Sequence, residues 1–181
     1  MSLVPSVKRT KAARPAGPVD AREDGLVRGY ASLFERTDPS GDRIERGAFA
    51  RTLKERGAAG IRMLWQHDPA EPIGVWTAIA EDSRGLLVEG KLALSTRRGR
   101  DVFELIRAGA VDGLSIGFKA RRARREPGGV RRIAEIDLWE ISVVTFPMQA
   151  LARLAETRGR DLPRRIREAA RRLARPARAA S

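Results

Sequence analysis

The sequence has 181 residues, 42% of them hydrophobic and 33% charged, enough for one core with solvated flanks. Cysteine is absent, which excludes disulfides, thiolate zinc sites and cysteine nucleophiles and leaves a reducing cytoplasm as the natural compartment. No stretch approaches the roughly 18 apolar residues of a membrane span, and MSLVPSVKRTKAARPAG lacks the apolar run of a secretory signal, so a soluble, internal protein without membrane contact is expected. The net charge of +13 is concentrated late in the chain: residues 151–181 hold ten basic and three acidic side chains, and residues 1–24 hold five and three. Such a field favours acidic partners without choosing among nucleic acid, protein and membrane surface.

Pro5, Pro15, Gly17 and Pro18, set among Lys, Arg and Ala, predict a flexible basic leader over residues 1–24. GLVRGYASLF, from Gly25, predicts a strand, and Asp38-Pro39-Ser40-Gly41-Asp42 a loop. GAFARTLKERG (47–57) places Phe49 and Leu53 four apart and stops at Gly57, as a short amphipathic helix does. IRMLWQH (61–67), PIGVWTAIAE (72–81) and GLLVEGKLAL (85–94) predict successive antiparallel strands. Residues 96–110 predict a helix capped by Thr96, with Val102, Leu105 and Ile106 on one side. DGLSIGFKARRA (112–123) predicts a strand, and VRRIAEIDLWEISVVTF (130–146) a long strand or bent pair closed by Pro147. Helices are predicted over 148–156 and 161–175, the second strongly basic. The organisation expected is a leader (1–24), a mainly β catalytic domain with flanking helices (25–150) and a basic helical tail (151–181).

Three residues carry the candidate chemistry. In DGLSIGF, strand alternation places Gly113, Ser115 and Gly117 on one face and Leu114, Ile116 and Phe118 on the other. The two glycines clear the space around Ser115 for a substrate backbone and leave N–H groups for an oxyanion. A serine beside glycines at a bulge or sheet edge is the plain structural alternative. His67, the single histidine, ends IRMLWQH just before Asp68-Pro69, at a strand end of the kind that presents catalytic groups. A neutral imidazole there could take the serine proton; a structural or exposed histidine is the alternative. Glu140, in DLWEISVVTFP, shares a predicted strand face with Leu138, Ser142 and Val144, where a carboxylate needs a partner. An imidazole would supply one, and the acid would fix its tautomer. Asp137 and Asp68 are rival orienters, and a solvent-facing Glu140 is the structural alternative.

GYASLF, DPSGDRIERGAF, WQHDPAEPIGVW, DGLSIGF and LWEISVVTFP, in this order over residues 25–150, resemble the prohead serine proteases of tailed bacteriophages, a family with homologues in gene transfer agents. The resemblance implies an antiparallel β-barrel similar to the herpesvirus assemblin proteases, with the family's histidine at His67 and its serine at Ser115. Where the herpesvirus enzymes use a second histidine this sequence offers none, and the phage family's acidic position matches Glu140. Implied substrates are the scaffold, or the scaffold-like extension of the major capsid protein, and the enzyme itself. The implied place of action is the immature capsid in the bacterial cytoplasm, and no metal or organic cofactor is needed. A homodimer and a nucleic-acid contact through the basic tail are further partners to be considered.

A reading from another class is a capsid-lining or nucleic-acid-binding protein that uses the arginines of 121–132 and 153–178 on phosphates. It leaves the motifs of the middle unexplained, and the few aromatics sit within apolar strand patterns rather than on stacking platforms.

Overall fold

In the computed structural model, which describes residues 24–155, the chain folds into seven strands and two helices. They are β1 (Leu26–Leu33), β2 (Asp42–Ile44), α1 (Ala50–Arg56), β3 (Arg62–Trp65), β4 (Asp68–Glu81), β5 (Gly85–Leu92), α2 (Arg97–Arg107), β6 (Gly113–Arg125) and β7 (Arg131–Val144). All seven strands join one sheet in the order β1-β5-β4-β3-β7-β2, with β6 also paired to β7. The predicted run β3, β4, β5 is antiparallel, as its short turns require. Both β2 and β3 meet β7 in parallel, β2 along Arg131–Ile133 and β3 along Glu140–Val143, while β6 runs antiparallel along β7 from Val144 to Arg131.

The sheet curls around its apolar face. Val27, Ala31, Leu86, Val88, Leu114, Ile141 and Val143 join Phe49, Leu53, Val102 and Ile106 of the helical segments in one core. Each fully buried Leu or Ile contributes about 1.5–3 kcal/mol relative to exposure. Tyr30, Leu33 and Leu87 form a smaller cluster of their own. Helix α2 starts as expected, with Thr96 Oγ1 accepting from Gly99 N at 3.0 Å. Its buried face is Gly99, Val102, Phe103 and Ile106, whereas Leu105 is exposed, so Phe103 takes the inward place expected for Leu105. Helix α1 has no side-chain cap of its own. Glu81, from β4, serves instead by accepting from Gly47 N (3.0 Å) and Phe49 N (2.7 Å).

The helix expected over 148–156 does not form within the described residues. Residues 151–155 alternate in burial, with Leu151 out and Ala152 and Leu154 in, which is a strand's period of two rather than a helix's. Their backbone is committed on two sides: Tyr30 N donates to Arg153 O (3.1 Å) and Ala155 N to Arg28 O (2.8 Å), while Leu114 N donates to Ala152 O and Leu154 N to Asp112 O (2.9 and 2.8 Å). The segment thus links the free edge of β1 to the start of β6 and brings the curled sheet close to a closed barrel. Gly29 permits this approach, since a Cβ there would overlap Arg153 O. The expected leader, apart from Asp24, and the helix expected over 161–175 lie outside the described residues. Among the described residues no helix is long and apolar enough to cross a membrane.

Candidate active site

Strand β7 organises the site because it lies between the strands that bring Ser115 and His67. Across β6, Ser142 stands opposite Ser115 and Glu140 opposite Gly117; across β3, the same two residues pair with Leu64 and Arg62. Perfect alternation would put Leu138 and Glu140 on one face, as expected from the sequence. The structure separates them. Gly117 and Phe118 are consecutive in β6, but their partners are Glu140 and Leu138, so Trp139 is an extra residue in β7. This bulge turns Leu138 into the core with Ile136 and leaves Glu140 and Ser142 on the face of Ser115.

His67 is aimed by a tight turn. Trp65 pairs with Asp68, which leaves Gln66 and His67 as the two central residues, both left-handed, with φ of 53° and 63°. That geometry matches a primed two-residue hairpin turn, which normally selects Asn and Gly because other side chains are strained there. The turn is held in place by β7. Gln66 N donates to Val143 O (3.0 Å), Gln66 Nε2 to Thr145 Oγ1 (2.7 Å), Thr145 N to Gln66 Oε1 (3.3 Å) and His67 N to Ser142 Oγ (3.2 Å). Strain in a surrounding that over-determines it is characteristic of functional positions.

His67 Nδ1 lies 2.7 Å from Glu140 Oε1, and Ser142 Oγ donates to Glu140 Oε2 at 2.5 Å. An ionised carboxylate only accepts, so the Nδ1 proton points to Glu140 and Nε2 keeps its lone pair. The hydrogen bond to Glu140 raises the His67 pKa above its ordinary value, against partial burial, which lowers it, and with a smaller contribution from the carboxylate charge. The Glu140 side chain is 12% exposed and that of His67 44%. His67 and Ser115 line one cleft of about 200 Å³, with Asp38, Asp42, Phe118 and Met148 among its other walls. Ser115 is 8% exposed, and its hydroxyl makes no hydrogen bond among the described residues, whereas that of Ser142 is committed in both directions. Catalytic hydrogen bonds that are open in a free enzyme often tighten only around substrate.

The glycines beside Ser115 do not open space for a substrate, as their pattern led us to expect. A Cβ on Gly117 would overlap Glu140 Oε1, and one on Gly113 would meet Val144 O at 2.5 Å and Pro147 Cδ at 2.8 Å. Gly117 makes room for the carboxylate and Gly113 for the chain leaving β7. Leu114 N is spent on Ala152 O, which removes it from the oxyanion donors. The rival acids are occupied elsewhere. Asp68 Oδ1 accepts from Ala70 N at 2.8 Å. Burial alone would raise the pKa of Asp137, but Arg121 (2.6 Å), Arg56 (2.7 Å) and Trp139 hold it down at about 2. Sequence reasoning passed over Ser142, Gln66 and Thr145; the spacing of two between Glu140 and Ser142 was the available signal. Among the described residues no group of three His, Asp or Glu side chains is placed to hold a metal ion.

Comparison with known proteins bears on the family and the fold. The Enterobacteria phage HK97 prohead protease is 35% identical over 150 residues, covering 81% of this chain and 66% of that protein. The capsid polyprotein of Pseudomonas phage PAJU2 is 30% identical over 154 residues, covering 79% of this chain and 21% of the polyprotein. The chain thus spans just under two thirds of the first relative and about a fifth of the second. Among solved structures, the bacteriophage T4 capsid assembly protease gp21 superposes with a TM-score of 0.52 at 13% identity, over 66% of this chain and 80% of that one. The KSHV protease bound to a hexapeptide phosphonate inhibitor gives 0.50 at 11% identity, over 86% and 79%. These two show the fold, and the expected likeness to the herpesvirus proteases holds at that level. A model of the caudovirus prohead serine protease matches residues 16–163, most of the chain, and this chain belongs to that family.

Proposed function

We propose that the chain is a serine endopeptidase of capsid maturation, in which Ser115 attacks a peptide carbonyl, His67 accepts the serine proton and returns it to the leaving amine, and Glu140 orients His67. The observation that carries this reading is the hydrogen bond from His67 Nδ1 to Glu140, in the same cleft as Ser115, whose hydroxyl has no hydrogen-bond partner among the described residues. The imidazole is then the correct tautomer for a base, and the carboxylate stabilises the imidazolium that forms. Family membership supports peptide hydrolysis, and the match inside a capsid polyprotein supports a capsid-protein substrate. We place the cleavage in the scaffold, or in the scaffold-like extension of the major capsid protein, and in the enzyme itself, within the immature shell.

The structure weakens one half of the nucleic-acid alternative. Of the six arginines over 121–132, four are ion-paired, Arg121 with Asp137, Arg131 with Asp42, Arg124 with Glu45, and Arg132 with Glu35 and Glu45, while Arg122 and Arg125 are exposed and form no ion pair among the described residues. The four guanidinium groups held by carboxylates have less left for phosphates. The test is labelling with a fluorophosphonate followed by peptide mapping. We expect the adduct on Ser115 and its loss in Ser115→Ala and His67→Ala. Labelling that persists in Ser115→Ala contradicts the assignment.

A further inference from the structure

We propose that Ser142 is a positioning residue for the His67–Glu140 pair, its hydroxyl completing a closed ring of hydrogen bonds that sets the orientation and tautomer of His67. In the ring His67 N donates to Ser142 Oγ (3.2 Å), Ser142 Oγ–H donates to Glu140 Oε2 (2.5 Å), and His67 Nδ1–H donates to Glu140 Oε1 (2.7 Å). Ser142 is fully buried, at 0% exposure, so its hydroxyl has no water to replace a lost partner.

Two features make this more than a satisfied core serine. The Gln66–His67 turn is left-handed at two non-glycine residues, so it needs external ties, and Ser142 accepts the one N–H that belongs to His67 itself. The same hydroxyl occupies Glu140 Oε2, which leaves Oε1 for the imidazole. Backbone and ring of His67 are therefore fixed through one atom. Ser142 stands directly opposite Ser115 across β6 and β7, yet this commitment in both directions makes it a poor nucleophile.

Among the described residues His67 is the one ion-pair partner of Glu140, and Arg62, its register neighbour on β3, forms no ion pair with it. Asp68 follows it in the turn and caps Ala70 N; Asp38 and Asp42 line the cleft from the β2 side, where Asp38 accepts from Ser40 and Asp42, and Asp42 is bound to Arg131. The cleft residues from β6 are Leu114, Ser115, Ile116 and Phe118, none of them charged, and Lys119, further along the Ser115 face, stands opposite Asp137.

His67 is the only histidine, so labelled imidazole nitrogens give one unambiguous set of NMR signals. In the wild-type chain of 181 residues we expect the Nδ1–H tautomer and a His67 amide protected from solvent exchange, although it lies in a two-residue turn. In Ser142→Ala the tautomer preference should be lost and kcat should fall about tenfold or more with KM within about threefold, because binding is untouched while the base is misaligned. Ser142→Thr, which keeps the hydroxyl, should restore the tautomer. A rapidly exchanging His67 amide in the wild type overturns the proposal whatever the variants do, and so does an unchanged tautomer in folded Ser142→Ala. Only the kinetic arm rests on the serine-protease reading. The tautomer and exchange measurements stand even if no peptidase activity is found.

Discussion

Gly117 and Glu140 face each other across β6 and β7, and the carboxylate of Glu140 occupies the space that a Gly117 side chain would need. The glycine is thus part of the site without touching the chemistry. Gly117→Ala should push Glu140 off His67, and a displacement of about 1 Å in such a group costs on the order of 10²-fold in turnover. Steady-state kinetics on a variant whose thermal unfolding stays cooperative will show it; turnover within twofold of wild type would mean that Glu140 reaches His67 by another route.

Replacing Glu140 by Gln keeps the shape and removes the charge that steadies the imidazolium, so turnover should drop by about 10²–10⁴-fold with folding little changed. Asp68→Asn should be near wild type, since its carboxylate only caps Ala70 N. Asp137→Asn should lower stability through Arg56 and Arg121 while sparing turnover. A crippled Asp68→Asn beside an active Glu140→Gln would transfer the orienting role.

Because Glu140 raises the pKa of His67, kcat/KM should rise with pH along a limb centred above the ordinary imidazole value of about 6.5. In Glu140→Gln that limb should move to lower pH. The stability effect has the opposite sense. A histidine whose folded pKa is raised stabilises the fold below its unfolded pKa, and that contribution disappears as pH rises through the folded value. Melting curves of inactive Ser115→Ala, with and without Glu140→Gln, should therefore converge as pH increases through this window; curves that diverge would reverse the sign of the shift.

Residues 152–155 join β1 to β6 through four backbone hydrogen bonds and bury Ala152 and Leu154. Ending the chain after Ala150 should therefore cost about 3 kcal/mol or more beyond ending it after Ala155, at about 0.5–1.5 kcal/mol per hydrogen bond plus the lost burial. Denaturant unfolding of the two shortened chains measures the difference, and equal midpoints would show that the link adds nothing.

The motif order made the β-rich fold legible and named Ser115, His67 and Glu140 as the candidate site. WQHDP marked a histidine at a strand end, and DGLSIGF marked a serine on a strand. What stayed hidden depends on partners in space. Nothing in DLWEIS announces that Trp139 is a bulge, so Leu138 was assigned to the face of Glu140 when it belongs to the core. The glycines around Ser115 looked like access, yet each is filled by the protein's own atoms. LARLA has the composition of a helix but is recruited by two open sheet edges, which outweigh local propensity. The parallel pairing of β3 with β7, which brings His67 to Glu140, leaves no local signature at all.

The most direct measurement is co-expression of the chain with a tailed-phage major capsid protein that carries its scaffold-like extension, followed by mass spectrometry of the fragments. The account predicts defined cleavage by the wild type and intact capsid protein with Ser115→Ala, which deletes one small hydroxyl and leaves the strand in place. Identical fragments from wild type and Ser115→Ala would contradict it.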